Sequence, residues 1–314
     1  MDILFTFKLK EAQEQALLNE FPNGQFHFNG TAESEEVSIA EVIVTYGGNI
    51  TKELLDRAPN LKWLMVASAG VEQMDLAEIH KRGIVVTNVR GIHKTPMAES
   101  VLAHLLALKR SVYEVDRVQE TKDWTYKFTS TELRGSTAII LGPGAIGMEI
   151  GRLLQAFGVR TIGCNRSGRQ ADFMDDIITF DQLLETLPEA DIVASILPNT
   201  KETTNLLTRV HFDAMKSSTI FLNFGRGNLF EEDILIDVLQ KEQIHHAVLD
   251  VFKTEPLPEE SPFWTLKNCT VSPHISAKSG KYVERALEIF HQNLRVYTEN
   301  QKQLVNIVDV KRGY

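Results

Sequence analysis

The chain of 314 residues holds only two cysteines, Cys164 and Cys269, and neither stands in a CxxC or any other metal-ligand spacing. No disulfide and no metal site are expected. With no export signal ahead of them, the two thiols read as reduced cysteines in a cytoplasmic protein. The opening MDILFTFKLKEAQ has no basic region followed by an apolar stretch, so a signal peptide is not expected. Long hydrophobic runs are missing as well. The longest strongly apolar stretch, near residues 101–108, contains a histidine and falls far short of the ~20 residues that span a bilayer. Nor is there a cationic excess: 33 Lys and Arg against 42 Asp and Glu give a net charge of −9. Nucleic-acid binding draws on clustered basic side chains, and no basic stripe is present. Neither a membrane nor a nucleic acid is an expected partner.

What remains is a globular composition, with 43% hydrophobic and 24% charged residues, in a chain long enough for about two domains. Strand-like and helix-like segments alternate. Strands are expected at 2–7, 41–46, 61–68 and 84–89, with helices at 10–20, 51–57 and 75–82 between them. Short apolar strands alternating with helices predict βαβ units and parallel sheets buried on both faces. A single long helix is expected from about 97 to 119. Its broad apolar face of Val101, Leu102, Leu105, Leu106 and Leu108 suits a dimer interface or a bridge between domains. After an irregular stretch at 121–135, a second α/β run begins, with strands at 136–141, 159–164, 190–197, 218–223, 244–251 and 269–271. Helices are expected at 145–157, 180–186 and 231–241, and a last one at 279–298. The fold class is therefore α/β.

Between the strand STAIIL and the helix AIGMEIGRLLQAFG stands Gly142-Pro143-Gly144-Ala145-Ile146-Gly147. A bare GxGxxG carries little weight, but in a strand–turn–helix setting it predicts a dinucleotide-binding loop. There the glycines allow a tight turn and a close approach to a pyrophosphate, and the helix N-terminus offers N–H groups to the phosphates. An acid at the end of the next strand would accept from the ribose 2′-OH and repel a 2′-phosphate. Here that strand runs into Asn165-Arg166-Ser167-Gly168-Arg169. With the acid missing and two guanidiniums and a hydroxyl in its place, NADP is preferred to NAD.

Three later strands end in residues of complementary chemistry. One delivers Arg226 in Asn223-Phe224-Gly225-Arg226-Gly227. Another delivers Asp250 and then Glu255 in LDVFKTEPLP, and the last delivers His274 in Ser272-Pro273-His274-Ile275. In a doubly wound sheet, ligands bind beyond the carboxyl ends of the strands. Histidine carries a proton near neutral pH, a carboxylate beside it fixes the ring, and an arginine holds a carboxylate or polarises a carbonyl. A nicotinamide would supply the hydride.

Over nearly its full length the chain resembles the D-isomer-specific 2-hydroxyacid dehydrogenases. GPGAIG, ILPNTKETTN, NFGRG, LDVFKTEPLP and SPHIS occur in order, with ASAGVEQMD near residue 70 and MAES at 97–100. The resemblance implies two Rossmann-like, doubly wound parallel-sheet domains with a cleft between them. A discontinuous, flavodoxin-like substrate domain would take residues 1–96 and 279–314, and a dinucleotide-binding Rossmann domain 97–278. It further implies that Arg226 binds a small 2-oxo acid, that His274 is the acid/base and that Glu255 orients it. Backbone N–H groups around Ala69 and Gly70 would hold the substrate carboxylate. Leu197, Pro198, Thr203, Phe224, Gly225, Asp250 and His274 would border the cofactor, alongside Gly142, Gly144, Ala145, Ile146, Gly147, Asn165, Arg166, Ser167 and Arg169. A homodimer is implied too. No regulatory extension follows the last helix, so serine feedback is not expected. The alternative on the same fold is a nucleotide-sensing, corepressor-like interaction protein. Trp124 reads as simple packing, although in some relatives an aromatic in this linker reaches a neighbouring active site.

Overall fold

The computed structural model describes residues 1–48, 50–68, 70–71, 74–125, 127–299 and 303–310. The chain divides into two compact units, Met1–Ile92 with Ser279–Tyr314, and His93–Lys278. In the first unit, β1 (Asp2–Phe5), α1 (Glu11–Glu20), β2 (Gln25–His27), β3 (Val42–Thr45), α2 (Lys52–Arg57), β4 (Trp63–Val66), α3 (Leu76–Lys81) and β5 (Val85–Asn88) follow one another. The second unit runs through α4 (Lys94–Lys109), α5 (Val112–Thr121), β6 (Thr137–Leu141), α6 (Ala145–Ala156), β7 (Arg160–Cys164), β8 (Asp176–Ile178), α7 (Leu183–Thr186) and β9 (Ile192–Ser195). It continues with α8 (Arg209–Asp213), β10 (Ile220–Asn223), α9 (Glu232–Gln240), β11 (His246–Leu249) and β12 (Cys269–Val271). The chain then returns to the first unit as α10 (Tyr282–Thr298).

The first unit holds a five-stranded parallel sheet, β2-β1-β3-β4-β5. Every residue of β3 and β4 (VIVT and WLMV) is buried, which is why these strands read as unbroken apolar runs. Thr51 caps α2 by accepting from the Leu54 N–H, and Asp75 caps α3 by accepting from Glu78. Phe290 of α10 closes one face, stacked on Trp63 at 5.6 Å and edge-on to Phe5 at 5.3 Å. The Trp63 indole N–H donates to Thr87 across the sheet at 2.9 Å.

The second unit is a seven-stranded parallel sheet, β12-β11-β10-β9-β6-β7-β8. Strand order reverses between β6 and β9, and the edge beyond their carboxyl ends is the ligand crevice of a doubly wound sheet. Both faces are packed. Phe212, Phe221 and Phe230 meet edge to face on one of them, while α4 and α6 cover the other with Val101, Leu105, Ile150 and Leu154.

Three expectations need correction, and two short strands add to them. The single helix expected from 97 to 119 is two helices, because Ser111 adopts a left-handed conformation (φ 56°) between α4 and α5. Its hydroxyl accepts from Ser130 at 3.1 Å, so a buried polar contact holds the break. The segment expected as a helix at 180–186 is one α-helical turn flanked by 3₁₀ turns. Trp124 is 87% exposed, so packing within the chain does not bury it. Strands β2 and β8 were not foreseen. Among the described residues no helix is long and apolar enough to cross a membrane.

Two histidines of the second unit are held neutral. Burial, reinforced by His245, His104 and Arg117, pushes His246 of β11 down to about 4; its Nε2 lies 2.9 Å from the Thr270 hydroxyl. Burial and the Arg226 guanidinium push His93 down to about 4 as well. A base with a lowered folded pKa contributes stability that is intact above the ordinary value near 6.5 and is lost as pH falls towards 4. His246→Gln is expected to remove that acid sensitivity, on the order of 2 kcal/mol between pH 7 and pH 4.5. Urea midpoints of both proteins at the two pH values test it. An equal drop in both would show that His246 takes no part.

Candidate active site

The glycine loop joins the carboxyl end of β6 to α6. The Gly142 N–H donates to Cys164 O at 2.9 Å and the Gly144 N–H to Gly142 O at 2.8 Å, which folds the turn back on itself. Gly147 is required by close approach, since a Cβ there would sit 2.4 Å from Gly142 O. Gly144 is the N-cap of α6 and offers no side-chain cap. The first bond of the helix runs from Met148 N to Gly144 O, so the N–H groups of Ala145, Ile146 and Gly147 head the helix without intrahelical partners. A Cβ at Gly144 would meet no heavy atom within 4 Å. Clear space beside a row of helix-end donors fits a dinucleotide pyrophosphate.

Beyond β7 the loop is organised by Asn165. Its Oδ1 accepts from Ser167 N at 3.0 Å and Arg169 N at 3.2 Å, and its Nδ2 donates to Arg169 O at 2.8 Å. The amide that stands where an acid would read the ribose is thus committed to shaping the turn. Arg166, Ser167 and Arg169 are exposed on that turn, and Arg166 meets Glu202 at 3.2 Å. Beyond β9, the Thr203 hydroxyl donates to Pro198 O at 2.6 Å and accepts from Thr200 N at 2.9 Å, so it builds the turn that follows Leu197.

The remaining residues converge from β10, β11 and β12. Asn223, at the end of β10 and fully buried, accepts from Gly225 N at 3.2 Å and donates to Arg226 O at 3.0 Å, which fixes the path from Phe224 to Arg226. The next residue must be glycine, because a Cβ at Gly227 would lie 2.0 Å from the carbonyl carbon of Phe252. That approach sets the Arg226 loop against the segment leading to Glu255. Glu255 Oε1 accepts from Phe252 N at 2.9 Å, and its Oε2 lies 2.6 Å from His274 Nδ1. An ionised carboxylate only accepts, so this contact puts the ring proton on Nδ1 and leaves Nε2 as the reactive nitrogen. His274 itself has φ 53°, a conformation most side chains avoid. Its loop is tied down by Asp250, 1% exposed, which accepts from the hydroxyls of Ser272 and Ser276 and from the N–H groups of Ile275 (2.9 Å) and Ser276 (3.2 Å).

Of the residues named from the sequence, Gly142, Gly144, Arg226, Asp250, Glu255 and His274 all sit beyond carboxyl ends of strands in one sheet. Gly70 belongs to the first unit, in the segment after β4, where its carbonyl accepts from Ser68 Oγ at 2.9 Å. Ala69 lies outside the described residues. Missed from the sequence were Asn223, Ser272 and Ser276, which hold the reactive loops, and Glu202, which contacts Arg166. Small polar residues at strand ends are the only signal they leave. Cys164 is buried, and burial pushes its thiol up to about 12. Among the described residues no group of three or more His, Cys, Asp or Glu side chains is placed to hold a metal ion.

A switch-point glycine loop with a His–Glu pair and an arginine on the same sheet edge defines a nicotinamide-dependent oxidoreductase. The family model for the D-isomer specific 2-hydroxyacid dehydrogenase NAD-binding domain matches residues 102–276. A glyoxylate reductase of Thermofilum pendens is 32% identical over 78% of this chain and 74% of its own length. Glyoxylate/hydroxypyruvate reductase B of Yersinia pestis is 32% identical over 76% of this chain and 74% of its own. A solved D-isomer specific 2-hydroxyacid dehydrogenase family protein from Aeromonas salmonicida superposes with a TM-score of 0.87 at 32% identity, covering 98% of this chain and 99% of that one. The chain belongs to the D-isomer-specific 2-hydroxyacid dehydrogenase family. It is an NAD(P)-dependent oxidoreductase that acts on 2-oxo acids and D-2-hydroxy acids, and the corepressor-like alternative finds no support among these relatives.

Proposed function

We propose that the enzyme reduces a small 2-oxo acid, glyoxylate or hydroxypyruvate before longer aliphatic ones, with NADPH as the preferred cofactor. The observation that carries the chemistry is the 2.6 Å contact between His274 and Glu255 on the sheet edge that also bears the glycine loop and Arg226. The relatives' names support the substrate class. Arg226 holds the 2-oxo acid and polarises its carbonyl, and backbone N–H groups around Ala69 and Gly70 take the carboxylate. His274 donates the Nε2 proton to the carbonyl oxygen as that oxygen becomes a hydroxyl, and is left as neutral imidazole with Nδ1–H still on Glu255. A bound nicotinamide supplies the hydride to the carbonyl carbon. Leu197, Pro198, Thr203, Phe224, Gly225 and Asp250 border that cofactor, which makes His93–Lys278 the dinucleotide domain and the other unit the substrate domain. The test is a panel of glyoxylate, hydroxypyruvate, pyruvate and branched-chain 2-oxo acids with NADH and NADPH, followed at the nicotinamide absorbance band. Inactivity throughout, with cofactor binding intact, would refute the assignment.

The cofactor preference rests on Arg166 and Arg169 standing exposed on the Asn165 turn, where position 165, at the strand end, carries an amide in place of an acid. Charge-assisted hydrogen bonds to phosphate are the strong kind, so one such contact is worth about tenfold in affinity. Arg166→Ala is expected to lower kcat/KM for NADPH by about that factor and to leave the NADH value nearly unchanged. A native preference for NADH, unaltered by Arg166→Ala or Asn165→Asp, contradicts this reading.

A cytoplasmic homodimer is part of the proposal. Helix α5 buries none of its residues, and Val112 and Val115 are half exposed on it. A second copy covering this face would bury the valines. Sedimentation at micromolar concentration should give twice the chain mass; a monomer rules the dimer out.

A further inference from the structure

The ion pair between Arg166 and Glu202 takes no part in the chemistry above, yet its place in the sheet is informative. Strand β6 lies between β7 and β9, and all three run parallel. Arg166 is two residues past the end of β7, and Glu202 is seven past the end of β9. Their Nη1–Oε1 contact at 3.2 Å therefore joins the loops on either side of the glycine turn that leaves β6. Neighbouring strands stand about 4.8 Å apart, so the pair spans roughly 10 Å across the edge where the dinucleotide would lie. The carboxyl of Glu202 is held below its usual range by its own backbone N–H, by the Thr200 hydroxyl and by Arg166. It therefore carries its charge at neutral pH. Both side chains are largely exposed, 69% and 52%, so the pair is weak enough to exchange partners.

We infer that Glu202 is a specificity-determining residue, an internal carboxylate that occupies the Arg166 guanidinium and competes there with the 2′-phosphate of the cofactor. The inference rests on the reading that Arg166 faces that phosphate. A phosphate monoester carries more charge than a carboxylate and matches the guanidinium fork, so it displaces Glu202. The displaced carboxylate remains close by and repels it. A dinucleotide with a free 2′-hydroxyl meets neither effect, so Glu202 weakens NADPH binding more than NADH binding.

Equilibrium titration of protein fluorescence with NADPH and with NADH, for the native enzyme, Glu202→Gln and Glu202→Lys, tests this without turnover. Glu202→Gln is expected to tighten NADPH by about two- to fivefold relative to NADH, and Glu202→Lys by more. Both gains should shrink between 20 mM and about 200 mM salt, as screened charges require. An unchanged ratio, or weaker NADPH binding, in Glu202→Gln overturns the inference. If Arg166→Ala still weakens NADPH in that case, the NADPH reading stands and only the role of Glu202 falls. If Arg166→Ala also leaves the ratio unchanged, both fall.

Discussion

His274→Ala is expected to cut the rate of 2-oxo acid reduction by roughly 10²–10⁴-fold, the range for a positioned acid–base group. The effect should fall on kcat rather than on cofactor titration, because the substitution removes a proton donor and leaves the glycine loop and α6 untouched. Glu255 gives the partner experiment. Its two oxygens are divided between Phe252 N and His274 Nδ1, so Glu255→Gln keeps an acceptor for the backbone but removes the charge beside the ring. Glu255→Gln should lower kcat by less than His274→Ala, because the ring N–H keeps a polar neighbour but loses the carboxylate that orients it. Near-native kcat in His274→Ala sinks the assignment of the acid/base. A native kcat in Glu255→Gln limits Glu255 to holding the loop.

Asp250→Ala should be the most destabilising change near the site. Two backbone N–H groups and two serine hydroxyls converge on this one buried carboxylate. Leaving a buried donor unpaired costs about 1–3 kcal/mol, so the loss should be on the order of 3 kcal/mol or more. Activity should drop further than stability accounts for, since the same bonds fix the loop that carries His274 in its left-handed conformation. Asp250→Asn should be milder, because the serine hydroxyls can turn to accept from the new amide while the Ser276 N–H loses one acceptor. Urea unfolding followed with steady-state kinetics checks both. A loss under about 1 kcal/mol in Asp250→Ala would show that the loop is held by other means.

Much of this molecule was legible in its sequence, and the physical reason differs from part to part. Central parallel strands such as VIVT, IVAS and IFLN are buried on both faces, so they announce themselves as apolar runs. Two of the four edge strands do not: β2 is QFH and β8 is DII, three residues each and only half buried, whereas the edge strands β5 and β12 were expected at 84–89 and 269–271. The break at Ser111 escaped notice because no glycine or proline marks it; a tertiary contact to Ser130 sustains it instead. In the site, the glycine loop, Arg226, Glu255 and His274 were readable because their chemistry demands particular side chains. Asn223, Ser272 and Ser276 were not, since a serine that feeds a buried carboxylate looks like any other serine. Glu202 was hidden for a different reason: its partner stands 36 positions away and is brought near only by strand order.

The route of the chain through its two units also bears on how the protein is born. Strands β1 and β4 leave the ribosome early, and their apolar side chains Ile3, Phe5, Trp63 and Met65 belong to a core completed by Leu287, Phe290 and Leu294 of α10. Those last three are synthesised only after the whole of His93–Lys278 has been made. The inserted unit is continuous and can collapse as it appears, whereas the first-made sheet must wait with one face bare. Contacts so far apart in sequence are slow to form, and waiting apolar surface is prone to stick to its neighbours. The nascent protein is thus most exposed to misassembly late, when more than two hundred residues have been made and the final helix has not.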